Sequence, residues 1–126
     1  MERYRAVVYH FHLETGGRRY PMANTIKVVV TDYIEENLDW EAEQLAKRGG
    51  FVFESYQLKF RPEDEILDKI RDAQVIVVNM VKMTESLLSR LDNCKLIIRH
   101  GIGYDNVDVE VCTHLGIQFA YQPDYC

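Results

Sequence analysis

Apolar positions along this chain fall into short runs of two alternating kinds. Ile26-Lys27-Val28-Val29-Val30-Thr31 is β-branched and nearly all apolar, the pattern of a strand buried on both faces. Leu38, Trp40, Ala42, Leu45 and Ala46 then recur near helical spacing, and Lys47-Arg48 with the stop pair Gly49-Gly50 closes the segment. Phe51 to Tyr56 alternates as a second strand. Pro62 suits the first position of a second helix, with Glu63, Asp64 and Glu65 in the first turn, where the helix dipole favours anions. Ile66, Leu67 and Ile70 supply its apolar stripe, to be packed as core, like Trp40 and the stripe of the first helix.

The alternation continues. Val75-Ile76-Val77-Val78 reads as a third strand, and Thr84 as the cap of a short helix carrying Leu87, Leu88 and Leu91. Leu96-Ile97-Ile98 makes a fourth strand. Asp108 caps a helix through Val111, Cys112 and Leu115 that stops at Gly116, and Ile117 to Ala120 is a fifth strand. Strands and helices this short and regular predict right-handed βαβ units, hence an α/β fold: a flavodoxin-like, doubly wound parallel sheet of about five strands with helices on both faces. Such a sheet carries its ligand loops at the carboxyl ends of the strands, here Asp32-Tyr33, Asn79 to Met83, and His100 to Asn106.

Residues 1–25 break this pattern. Glu14-Thr15-Gly16-Gly17-Arg18-Arg19-Tyr20-Pro21 is turn chemistry with little to bury, and Met22 would serve as an ordinary start. We read residues 1–25 as an N-terminal extension outside the fold. The other reading is an added edge strand over Ala6 to Leu13. The domain proper is residues 26–126.

Composition narrows the partners. In 126 residues, 47% hydrophobic and 28% charged is globular, and a net charge of -5 with basic residues scattered among acids excludes the clustered positive face of a nucleic-acid or anionic-membrane binder. Cys94, Cys112 and Cys126 form an odd set without CxxC spacing, which argues against a disulfide framework or zinc knuckle. With no apolar run long enough to span a bilayer and no signal-like N-terminus, a cytoplasmic location is expected. His10 and His12 alternate in the extension, but a metal site there is not expected. The acids Glu35, Glu36, Asp39, Glu41 and Glu43 read as a solvated helix start.

The most informative stretch is Arg99-His100-Gly101-Ile102-Gly103-Tyr104-Asp105-Asn106-Val107-Asp108. Gly101 and Gly103, directly after a strand, let the backbone turn tightly and approach other groups closely. No third glycine follows at dinucleotide-binding spacing, so no pyrophosphate site is read here.

This RHGIGYDNVD, a following helix, and Leu115-Gly116-Ile117 resemble the RxGxGxDNxD…GI segment of D-isomer-specific 2-hydroxyacid dehydrogenases, the family that includes phosphoglycerate dehydrogenases and C-terminal-binding-protein relatives. Asp72 to Thr84 is similar to that family's run from buried strand to substrate loop, Leu91 to Ile97 to its approach to the fourth strand, and Tyr121-Gln122-Pro123-Asp124-Tyr125-Cys126 to its "xPDYC". The likeness covers residues 26–126. It implies a substrate-binding domain facing an NAD-binding domain across a cleft. It implies that backbone N–H groups of Met80, Val81 and Lys82 receive the carboxylate of a small 2-hydroxy or 2-oxo acid, because amides bind an anion without burying a counter-charge.

Asn106 matches an active-site-facing asparagine of the family, either bonding substrate or tying its loop to the backbone. Where some members carry Arg or Ser, this chain has Val78 and Asn79, which leaves the identity of the acid open. The family's catalytic Arg, Glu and His and its GxGxxG loop lie beyond the matched segment. No catalytic residue is therefore assigned here, no NAD is expected on this chain alone, and the chain is expected to be inactive by itself. His100 reads as structural and His114 as a surface residue. The missing nucleotide-binding domain is the implied partner, and an uncovered interdomain face implies self-association. The reading from another class is a stand-alone flavodoxin-like binding or regulatory module. Thr31 to Asn37 lacks the phosphate loop of a flavodoxin, and Asn79 stands where a receiver domain needs an aspartate.

Overall fold

Five of the apolar runs become parallel neighbours in one sheet. In the computed structural model, which describes residues 7–10, 14–15, 18–19, 25–101 and 103–121, these strands are β4 (Ile26–Val30), β5 (Phe51–Ser55), β6 (Val75–Val78), β7 (Leu96–Arg99) and β8 (Gln118–Tyr121). They are linked by α1 (Asp39–Arg48), α2 (Glu63–Ile70), α3 (Glu85–Leu88) and α4 (Val109–His114). The sheet order β5-β4-β6-β7-β8 is doubly wound, with every adjacent pair parallel. The chain reverses its winding between β4 and β6, so their carboxyl ends flank the switch point where such sheets leave a crevice.

The N-terminal segment adds to this. β1 (Val7–His10) pairs antiparallel with β5, making a sixth strand, Val7 opposite Ser55 and His10 opposite Val52. The open edge of β5 presents unpaired backbone groups, and a stretch of alternating residues can satisfy them. A separate pair, β2 (Glu14–Thr15) with β3 (Arg18–Arg19), is antiparallel. The expected start at Met22, the turn residues Gly16, Gly17 and Pro21, His12, Ile102 and the tail from Gln122 to Cys126 lie outside the described residues.

The two faces of the sheet are covered unequally. Val29, Ile76 and Ile97 are fully buried under α2, α3 and α4 through Ile66, Leu67, Ile70, Leu87, Leu88 and Cys112. Val28, Val30 and Phe53 face α1 through Leu38 and Ala42. Thr84 and Asp108 cap as expected, accepting from the backbone N–H of Leu87 at 3.3 Å and of Val111 at 3.1 Å. Pro62 sits one residue earlier than expected, as the extended N-cap of α2 rather than its first helical residue.

Trp40 corrects another expectation, since it is 67% exposed. The face of α1 that packs on the sheet carries buried Leu38 at the N-cap, buried Ala42 and half-buried Leu45, spaced by four and three residues. A residue two on from Leu38 points about 200° away from it at 3.6 residues per turn. Among the described residues no helix is long and apolar enough to cross a membrane.

Cys94 and Cys112 are free thiols. Burial pushes the Cys94 thiol up to about 11 against the carbonyl oxygen of Leu96, which its sulfur approaches at 3.7 Å. Peptide mapping of Cys94 after iodoacetamide treatment at pH 7.5 is therefore expected to show labelling on the order of a hundredfold slower than a free cysteine, rising with pH, because only the thiolate reacts.

Candidate functional site

The loop after β6 and the loop after β7 meet at the carboxyl end of the sheet. Three successive backbone N–H groups of the first loop turn inward on one carboxylate, that of Asp32 at the end of β4. Met80 N donates to it at 2.7 Å, Asn79 N at 3.2 Å and Val81 N at 3.5 Å, while the Thr31 hydroxyl donates at 2.8 Å. Asp32 is only 3% exposed. Its charge is carried by these donors, since an unsolvated carboxylate is tolerated only where hydrogen bonds replace water.

This arrangement revises the carboxylate cradle read from the sequence. The N–H groups of Met80 and Val81 are directed at an internal anion. Met83 N is spent on the Asn106 carbonyl at 2.7 Å. Of the three expected donors, only Lys82 N makes no hydrogen bond among the described residues. The Lys82 and Met80 side chains are both exposed beside it. The signal in the sequence was an acid directly after an apolar strand, but nothing there shows that it faces backbone amides 47 to 49 residues away.

Asn106 is half-buried, and both protons of its side-chain amide are used: Nδ2 donates to the Asn79 carbonyl at 3.0 Å and to the Val81 carbonyl at 2.9 Å. Asp108 N donates to the Met83 carbonyl at 3.1 Å, and Met83 and Val107 form a parallel bridge. His100 N closes the base on the Val78 carbonyl at 2.8 Å. The two loops are therefore zipped into one wall. Asn106 ties them through both protons of its side-chain amide and through its backbone carbonyl.

Gly101 is buried and has φ 155°, a backbone that side chains rarely adopt. A Cβ there would collide with the Arg99 guanidinium, which folds over the glycine and donates to the His100 carbonyl at 3.1 Å. Gly103 is exposed, and a Cβ on it would meet nothing within 4 Å. The close approach expected of the glycine pair thus belongs to Gly101. His100 lies 3.8 Å from the Glu35 carboxylate, joining the loops after β7 and β4.

The glycine turn after β7 does not have the form of a pyrophosphate cradle. The space that Gly101 opens is filled by Arg99. The N-terminus of the following helix, where a pyrophosphate would sit, is occupied by the Asp108 carboxylate, whose charge opposes a phosphate. No group of three metal-ligating side chains occurs among the described residues.

Residues 28–126 match the family described as D-isomer specific 2-hydroxyacid dehydrogenase, catalytic domain. The D-3-phosphoglycerate dehydrogenase of Methanocaldococcus jannaschii is 35% identical over 100 residues, which is 79% of this chain and 18% of that protein. The hydroxypyruvate reductase of Thermotoga maritima is 31% identical over 96 residues, 72% of this chain and 29% of that protein. In structure, the NAD+-bound 3-phosphoglycerate dehydrogenase of Entamoeba histolytica superposes with a TM-score of 0.68 at 25% identity, covering 77% of this chain and 32% of that one. The D-lactate dehydrogenase of Aquifex aeolicus, complexed with NAD and lactic acid, gives 0.61 at 29% identity, covering 79% and 28%. The chain thus spans less than a third of the length of each.

Proposed function

The chain belongs to the D-isomer specific 2-hydroxyacid dehydrogenase family, and from that premise we propose that it forms the substrate-side wall of an NAD-dependent oxidoreductase cleft. In this reading the opposite wall is a nucleotide-binding domain distinct from the matched residues 28–126. NAD held by that domain would supply the hydride donor or acceptor for the carbon bearing the oxo or hydroxyl group. This chain binds and orients the acid: the N–H of Lys82 receives its carboxylate, the Lys82 ammonium adds charge, and Met80 borders the remainder. Asn106 acts by holding the two loops at fixed separation.

One observation carries this reading. Ile34, Phe60, Met80 and Tyr104, all large and exposed, follow the carboxyl ends of β4, β5, β6 and β7, and Tyr121, also exposed, is the last residue of β8. Large apolar groups exposed along the same edge as an anion-receptive loop mark a surface built to be covered. Left uncovered, it is also the face through which two copies of the chain associate.

Hydride transfer needs the nicotinamide and an acid–base group near the substrate, and in this reading both stand on the opposite wall. The purified chain, mixed with NADH and a panel of 2-oxo acids including pyruvate and glyoxylate, is expected to oxidise NADH no faster than a protein-free blank. The same residues joined to a family nucleotide-binding domain are expected to restore turnover. Turnover by the 126 residues alone contradicts the proposal.

A further inference from the structure

In a doubly wound sheet the crevice for a ligand opens at the carboxyl ends of the strands flanking the switch point. Here those strands are β4 and β6, and the crevice between their ends is filled from within. The Asp32 carboxylate occupies it, 3% exposed, with three consecutive loop amides and the Thr31 hydroxyl converging on it. Among the described residues every donor to Asp32 is neutral. The cradle has the chemistry of an anion site, and the anion is the chain's own.

A filled cradle fixes the loop. With Asn79, Met80 and Val81 N–H turned inward, their carbonyls are free to face Asn106, and two of them, on Asn79 and Val81, accept from its Nδ2. Lys82 is the first residue past the cradle and Met83 is pinned to Asn106. The peptide between these two anchors is the one whose N–H is left over. We propose that Asp32 is the positioning residue of the substrate loop. Its carboxylate, by occupying the switch-point crevice, displaces ligand binding towards β7 and sets the Lys82 N–H as the donor that meets a substrate carboxylate. The second half of this rests on the proposed function. The first half, the internal cradle, stands on geometry alone.

The two halves separate in one experiment on the full chain, by amide-resolved NMR. In the unaltered chain the Met80 N–H is expected to be protected from exchange. In Asp32→Ala the N–H groups of Asn79, Met80 and Val81 are expected to exchange roughly ten- to a hundredfold faster, the ratio expected for loss of a hydrogen bond to a charged group. Formate, a carboxylate small enough for the vacated space, is expected to restore protection where chloride at equal ionic strength does not. Asp32→Asn, which keeps the shape and one acceptor, is expected to fall between, and it serves if the alanine variant does not fold.

Pyruvate is then added to each form. In the unaltered chain it is expected to shift the Lys82 amide resonance. In Asp32→Ala that shift is expected to vanish and to return with formate. Protection of Met80 unchanged in both variants, or loss that only chloride restores, overturns the positioning role. Normal exchange effects with no pyruvate shift in the unaltered chain leave the cradle standing and overturn the proposed function instead. A pyruvate shift at Lys82 that survives in Asp32→Ala overturns the link between the two.

Discussion

Asn106→Asp is expected to lower the stability of the chain by about 2 to 4 kcal/mol, although it changes one atom and leaves the shape intact. The two N–H bonds to the Asn79 and Val81 carbonyls, 3.0 and 2.9 Å long, become contacts between a carboxylate oxygen and two carbonyl oxygens. Both carbonyls lose their donor, and a like partial charge is set against them. Because a carboxyl group protonated at low pH can again donate, the deficit is expected to shrink as pH falls, opposite to ordinary acid denaturation. Urea denaturation at pH 7 and at pH 4 measures both. A change below about 0.5 kcal/mol at pH 7 would show that the seam between the loops does not depend on this amide, since surface substitutions are usually within that range.

Ile76→Ala is expected to cost about 2 to 5 kcal/mol, the usual range for deleting most of a fully buried aliphatic side chain. Ile76 lies in β6, between β4 and β7, with no exposed surface, under the face covered by α2, α3 and α4. Val77, the next residue on the same strand, points to the face covered by α1 and is only partly buried. Val77→Ala is expected to cost well under half as much, because the lost contacts scale with how completely the site is enclosed. Since a native domain has roughly 5 to 15 kcal/mol to lose, Ile76→Ala brings it near its limit while Val77→Ala does not. Equal costs at the two positions, read from chemical denaturation midpoints, would contradict the unequal coverage of the sheet.

Much of this architecture was legible because the relevant signals are local. A β-branched run between Gly and Pro punctuation reports a strand wherever it occurs, and Thr84 and Asp108 cap helices through bonds to residues three positions on. Trp40 has helical spacing yet is exposed, because its angle about the helix axis depends on where α1 starts. The expected carboxylate cradle shows the deeper limit. Whether the N–H groups of Met80 and Val81 face a ligand or an internal acid is decided by Asp32, far away in sequence, and by the sheet order that brings the ends of β4 and β6 together. For Asn106 the sequence leaves substrate contact and loop tie both open, because the carbonyls that accept from its amide belong to residues 27 and 25 positions away.

The direct measurement is a titration of the isotope-labelled chain with pyruvate, followed residue by residue at the backbone amides. Shifts concentrated in residues 79–83 and 103–106, and absent at the other end of the strands around Gly50, Gln74 and Gly116, are the predicted result. Shifts scattered over both ends of the sheet, or none in either loop, would contradict the existence of a carboxylate-receiving wall here.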